Sequence, residues 1–157
     1  MRIALDAMGG DNAPDCVISG ADLSKGHYPH IDMVFFGDAD RIRPLLSHTT
    51  HLRDAQIVHT LESVSAGDTA SQAVRRGKST SMWLAIAAVA AGEADAIVSA
   101  GNTGALMAMS KLQLRTMPGV TPPAIAGFFP TERDIMCMLD LGANLECDEE
   151  NLVQFAL

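Results

Sequence analysis

The 157 residues, 48% hydrophobic and 19% charged, hold the apolar material of one ordinary globular domain, so a single α/β domain over residues 1–157 is expected and a second complete one is not. Nineteen acidic against eleven basic side chains leave a formal charge of −8, a surface that repels a polyphosphate backbone and argues against nucleic acid as a partner. Cys16, Cys137 and Cys147 form no C-x-x-C pair, so neither a disulfide framework nor a cysteine zinc site is expected, and a reducing cytoplasm fits.

Short apolar runs rich in isoleucine and valine alternate with longer helical patterns, the rhythm of a parallel sheet covered by helices on its faces. The first strand is expected over residues 3–7, and its short apolar run ahead of Asp6 is not a secretory signal. It ends in Asp6, Ala7, Met8, Gly9, Gly10, Asp11, Asn12, Ala13, Pro14. Two adjacent glycines let backbone N–H groups come close to a ligand; a tight turn with Asn12 as helix cap is the structural alternative. Pro14 suits the first turn of a helix over 15–25.

A second strand follows over 32–36, a helix over 39–46 and a third strand over 56–59. His27 and His30, and His48 and His51, have H-x-x-H spacing, but the first pair flanks Tyr28 and Pro29 in a loop and the second has no acidic partner, so surface histidines are expected. His59 differs in standing at a strand end, within reach of a crevice, although a structural histidine is the plainer reading. A helix over 69–76 leads into Gly77, Lys78 and Ser79, which resemble the end of a P-loop, but Gln72 stands where its first glycine belongs. The nicotinamide fingerprint G-x-G-x-x-G is missing after the first strand as well. Arg75, Arg76 and Lys78 form the densest basic patch, which reads equally as an acidic partner's contact or a solvated helix end.

Residues 82–91, within a helix over 81–91, form the longest apolar run, about half the ~20 needed to cross a bilayer, so a buried helix is expected. The fourth strand, 96–99, ends in Ser99, Ala100, Gly101, Asn102, Thr103, Gly104, with a helix over 103–116 beginning at once. Unpaired amides and the positive helix end converge there, which makes an anion site; a helix cap at Asn102 or Thr103 is the structural alternative. Three prolines and a glycine make residues 118–123 a stiff connection toward a second lobe. Strands over 125–129 and 136–141 follow, the latter ending in Asp140, Leu141, Gly142, Ala143, Asn144, and a last helix opens at Asp148. Its residues 151–157 stop without a glycine cap or basic last turn, as in a truncated chain. In open sheets ligands sit outside the carboxyl ends of the strands, so the three turns are expected to face one crevice.

Together these turns resemble the bacterial phosphate acyltransferases of phospholipid synthesis, which convert acyl-[acyl-carrier-protein] and inorganic phosphate into acyl phosphate. The resemblance is carried by LDAMGGDNAP at 5–14, GD at 37–38, KSTSM at 78–82, ADAIVSAGNTGALM at 94–107, LDLGAN at 139–144 and NLVQFA at 151–156. It implies a three-layer α/β sandwich with a mostly parallel sheet, like phosphotransacetylase and isocitrate dehydrogenase, truncated to the amino-terminal portion of a longer two-lobed enzyme. It further implies acyl carrier protein as donor, no cofactor or metal, a cytoplasmic homodimer peripheral on the inner face of the membrane, and a downstream membrane glycerol-phosphate acyltransferase. The family usually shows two lysines where Gly77 and Lys78 stand, an aspartate at Ser79, and arginine before proline and alanine where Pro122, Pro123 and Ala124 stand. Those departures remove charges that an anion-binding role at 77, 79 or 122 would use.

Phosphate must attack a thioester carbonyl, so the site has to hold a dianion beside a carbonyl carbon and then stabilise an oxyanion. The turns with Gly9, Gly10, Asp11 and Asn12, and with Ser99, Gly101 and Gly104, are expected to hold phosphate, with Lys78 as charge partner and Ser81 and Gly142 completing the binding set. Asn102, Thr103 or Asn144 would donate to the oxyanion. Asp6, Asp11 and Asp140 cannot stand bare against phosphate, so they orient donors or accept a proton. Since a thiolate leaves readily, a Cys147 acyl-enzyme is a minor alternative. Two other readings are an acetyl or butyryl transferase using coenzyme A thioesters, and a non-catalytic anion-binding fragment.

Overall fold

The structure is a computed structural model describing residues 1–120, 123–144 and 146–156. Pro122 lies outside the described residues. The chain divides into two compact units, Met1–Leu114 and Arg115–Leu157.

The first unit is a four-stranded parallel sheet in the order β3-β2-β1-β4, built from β1 (Arg2–Asp6), β2 (Asp32–Gly37), β3 (Gln56–His59) and β4 (Ala96–Val98). Its helices are α1 (Asp15–His27), α2 (Ala39–Ser47), α3 (Ala70–Arg76), α4 (Ser81–Ala90) and α5 (Thr103–Leu114), with a 3-10 turn at Gly77–Ser79. Successive strand residues point to opposite faces, so Leu5 and Phe35 pack on Ile18, Ala21, Ile42 and Leu46 of α1 and α2. Ala4, Val34 and Phe36 face the other way, against Ala85 and Ala88 of α4. Helix, sheet and helix thus form three layers. Full burial of Phe35 and Ile42 contributes about 1.5–3 kcal/mol each. A third cluster, Ala73, Met82, Ile86, Ala105 and Met109, joins α3, α4 and α5.

Helix starts follow their side chains. Asp38 accepts from the Asp40 amide at 3.0 Å, Thr80 from Trp83 at 3.3 Å, and Thr69 forms a capping box with Gln72. The start of α1 differs from expectation: Pro14 is its cap residue, one position before the first helical residue, and no side chain caps the helix. Asn12 supplies its carbonyl instead, accepting from Cys16 N at 3.1 Å.

In the second unit β5 (Gly127–Pro130) and β6 (Ile135–Met138) pair antiparallel in a sheet of their own, with Gly127 opposite Met138 and Pro130 opposite Ile135. Only residues 131–134 join them, a hairpin length, whereas parallel neighbours need a crossover of a dozen or more. Thr131 closes the loop, its hydroxyl donating to Asp134 O at 2.6 Å. β6 stops before Asp140 because that carboxylate gathers turn amides. Helix α6 (Glu149–Phe155) opens on a capping box of Asp148 and Asn151. No helix among the described residues is long and apolar enough to cross a membrane.

Candidate functional site

Because β1 and β4 are neighbours, with Leu5 opposite Val98, the turns that follow them emerge side by side at the carboxyl edge of the sheet. Asp6, the last residue of β1, is 2% exposed and has no cationic partner among the described residues. Its Oδ1 accepts from Ser81 Oγ at 2.6 Å and its Oδ2 from Ser99 Oγ at 2.7 Å. Ser99 Oγ in turn accepts from Gly101 N at 3.1 Å. The carboxylate therefore ties the end of β1 to the first residue of α4 and to the turn after β4. Charge-assisted bonds of this kind are about twice as strong as neutral ones, which lets Asp6 remain buried without a counter-ion.

The glycines allow backbone to meet backbone. A Cβ on Gly9 would stand 2.6 Å from Asp6 Oδ2, 2.8 Å from Ser99 Oγ and 2.9 Å from Gly101 N. A Cβ on Gly101 would stand 3.2 Å from Gly9 Cα. Gly10 has φ +103°, a conformation that side-chain-bearing residues rarely adopt.

A cavity of about 500 Å³ opens over these turns. It is lined by backbone at Gly10, Gly101, Thr103 and Gly104, by the apolar side chains of Met8, Val64, Ala66 and Ala100, and by Asp11 and Asn102. The amides of Thr103 and Gly104 open α5 and have no intrahelical acceptor. Thr103 is exposed to the cavity. Asn102 is fully engaged: Oδ1 accepts from Ala105 N at 2.9 Å, capping α5, while Nδ2 donates to Ala66 O at 3.2 Å and Asp68 O at 2.8 Å.

Other expected residues lie elsewhere. Lys78 is exposed on the 3-10 turn and does not line the cavity. Asn12 is exposed beyond the glycine pair and does not line it either. Gly77 is buried, and a Cβ there would run into the methyl group of Met109, so the position packs against α5. Ser79 donates to Glu62 Oε2 at 2.6 Å. His59 Nδ1 accepts from Ala39 N at 3.1 Å, a structural bond at the start of α2. Cys147 is an exposed thiol.

The third turn, in the second unit, is organised by Asp140. Its carboxylate accepts from Ile125 N at 2.8 Å, Ala143 N at 3.3 Å, Asn144 N at 2.8 Å and Asn144 Nδ2 at 3.0 Å. Burial pushes its pKa up, but these four bonds outweigh that and hold it below the ordinary carboxylate value. Asn144 also donates to Pro123 O at 3.0 Å, and Gly142 sits at φ +77° with open space around it.

Residues 1–157 match the family described as fatty acid synthesis protein. The chain belongs to this family. Within it, the chain is similar to proteins named phosphate acyltransferase: 58% identical over 156 residues to that of Rhodospirillum centenum, covering 99% of this chain and 44% of the relative. It is 54% identical to that of Paramagnetospirillum magneticum, covering 100% of this chain and 45% of the relative, and 55% identical to that of Parvibaculum lavamentivorans, covering 99% and 44%. The chain thus spans less than half the length of these curated relatives.

For this member of the fatty acid synthesis family, sequence reasoning missed Met8, Val64, Ala66 and Ala100, the apolar wall. Met8 and Ala100 stand inside motifs whose signal lies in their glycines. Val64 and Ala66 lie between β3 and α3, where the Ser65–Thr69 cluster of small polar residues and glycine signals a turn but not a site.

Proposed function

We propose that the chain is the amino-terminal portion of an acyltransferase that forms acyl phosphate from long-chain acyl-[acyl-carrier-protein] and inorganic phosphate, the first step toward phosphatidic acid. The observation that carries this reading is the pair of backbone-contacting glycine turns at Gly9–Gly10 and Ser99–Gly101, opening into a cavity lined by the start of α5 and by apolar side chains. The family membership and the relatives' names support it.

Hydrogen phosphate binds against the backbone of Gly10, in front of the opening of α5, where the helix dipole favours negative charge. A phosphate oxygen attacks the thioester carbonyl carbon, a C–O bond forms and the C–S bond breaks. The phosphate proton ends on the departing thiolate, so acyl phosphate and free thiol balance the reactants. The Thr103 hydroxyl and the Thr103 and Gly104 amides meet the charge developing on the carbonyl oxygen. Asp6, Ser81 and Ser99 orient the turns, and Asp11 borders the site without touching the dianion, since like charges repel. Asp140, Gly142 and Asn144 shape a third glycine turn for the complete enzyme. Lys78 adds positive potential from outside the cavity.

The resemblance supports a cytoplasmic homodimer working at the inner face of the membrane and passing acyl phosphate to a glycerol-phosphate acyltransferase. The test is to incubate the intact protein with phosphate and palmitoyl acyl carrier protein and trap the product with hydroxylamine. Phosphate-dependent hydroxamate is expected; none with this donor overturns the reading, and hydroxamate from acetyl or butyryl coenzyme A alone replaces it with the shorter-chain one.

A further inference from the structure

The segment between β3 and α3 has two anchors. Val64 packs into the cluster of α3, α4 and α5 built on Met82, Ile86 and Met109. Two residues on, Ala66 is exposed at the cavity and its carbonyl is held by Asn102, as is that of Asp68. Between them Ser65 and Asp68 close a tight turn, Ser65 N donating to Asp68 Oδ2 at 3.0 Å and Asp68 N to Ser65 O at 3.1 Å. Among the side-chain hydrogen bonds of the described residues, those of Asn102 alone fasten this turn to the opening of α5. A cap needs only the oxygen of Asn102, since serine, threonine or aspartate caps a helix as well. Only an amide also offers two hydrogens to carbonyls on another segment.

We infer that Asn102 is a positioning residue that latches residues 64–68 in place as the acyl-side wall of the cavity, with Ala66 the position that gauges the group lying against it. This deepens the proposed function and rests on it for the identity of the acyl donor. The amide wall beside Gly101, Thr103 and Gly104 faces an anion and a carbonyl. The wall of Met8, Val64, Ala66 and Ala100 offers no hydrogen-bonding side chain and suits the methylenes next to that carbonyl. Phosphate does not use the latched wall, so loosening it changes recognition of the acyl donor alone.

The test compares Asn102→Ser and Asn102→Asp, which keep the cap and lose both donated bonds, with Asn102→Ala, which loses everything, and with Ala66→Leu, which narrows the wall. Hydrogen exchange in the intact protein reads the latch without any activity. The bonded amides of Asp68 and Thr69 should exchange at least about tenfold faster in the serine and aspartate variants, the factor corresponding to one net hydrogen bond of about 1.4 kcal/mol, while β1 amides stay protected. Unchanged exchange of Asp68 and Thr69 overturns the latch. In kinetics, Asn102→Ser and Ala66→Leu should raise KM for the acyl donor about five- to tenfold and leave KM for phosphate within about twofold, the latch contributing to donor binding rather than to chemistry. A rise in phosphate KM with donor KM unchanged overturns the assignment of the wall. Wild-type protein that makes no acyl phosphate sinks the proposed function and the acyl role together, while exchange still decides the latch.

Discussion

The hydroxyl of Ser99 and the carboxylate of Asp6, 93 residues apart in sequence, meet at 2.7 Å across the two turns that open the cavity. Removing that carboxylate leaves the buried Ser81 hydroxyl and the half-buried Ser99 hydroxyl without their acceptor. Asp6→Ala should therefore lower stability by about 1–3 kcal/mol, the range for orphaned buried polar groups. Asp6→Asn should lose less, because its amide oxygen still accepts one bond. Urea denaturation of both variants measures this, and a midpoint unchanged in Asp6→Ala would show that the turns hold each other without the carboxylate.

Close backbone approach makes Gly9 the least replaceable residue of the first turn. A methyl group there meets Asp6, Ser99 and Gly101 at 2.6–2.9 Å, and only Ser99 and Asp6 belong to movable side chains. Gly9→Ala should destabilise by about 1–3 kcal/mol, as overpacking does, and lower acyl phosphate formation at least tenfold by parting the turns. The paired measurement is thermal unfolding and turnover; a fully active Gly9→Ala protein would mean that the contact is not needed for the site.

How far the sequence reaches is visible residue by residue. The strand-and-helix rhythm and the glycine turns after β1 and β4 were legible because alternation and small residues leave a compositional trace. The cap role of Asn102 was legible for the same reason, standing directly before a helical pattern. Its bonds to Ala66 and Asp68 were not, since the acceptors are backbone carbonyls and any residue carries one. Lys78 was drawn in by its charge, but charge alone does not say where a side chain lies relative to a cavity. The antiparallel pairing of β5 and β6 was hidden because short apolar runs look alike in either direction, and only the brevity of the connection between them bears on it.

The third turn carries a pH signature. Asp140 has a folded pKa below its ordinary 3.8, so the unfolded chain binds the proton more readily. Its contribution to stability is therefore present in full above that ordinary value and lost as pH falls from 3.8 through the lower folded value. Exchange of the Ile125 and Asn144 amides, followed at decreasing pH after correction for intrinsic rates, should show protection falling below that point. Asp140→Asn should have weaker protection throughout and no such step; a wild-type protein without the step would mean that other groups set the turn's acid response.

Thr103 separates the side chain from the backbone at the opening of α5. Thr103 is exposed and lines the cavity, while its amide is held by the helix start whatever the side chain. Thr103→Val keeps the shape and the amide and removes one donor. Loss of a single oxyanion donor costs up to about 10²–10³ in kcat, and with two amides remaining a fall of roughly 10–100-fold is expected. Thr103→Ser should restore most of it, and stability should change by less than about 0.5 kcal/mol in both, as for surface substitutions. If Thr103→Val instead raises KM for phosphate and leaves kcat alone, the hydroxyl binds the ground-state anion, and stabilisation of the oxyanion falls to the Thr103 and Gly104 amides.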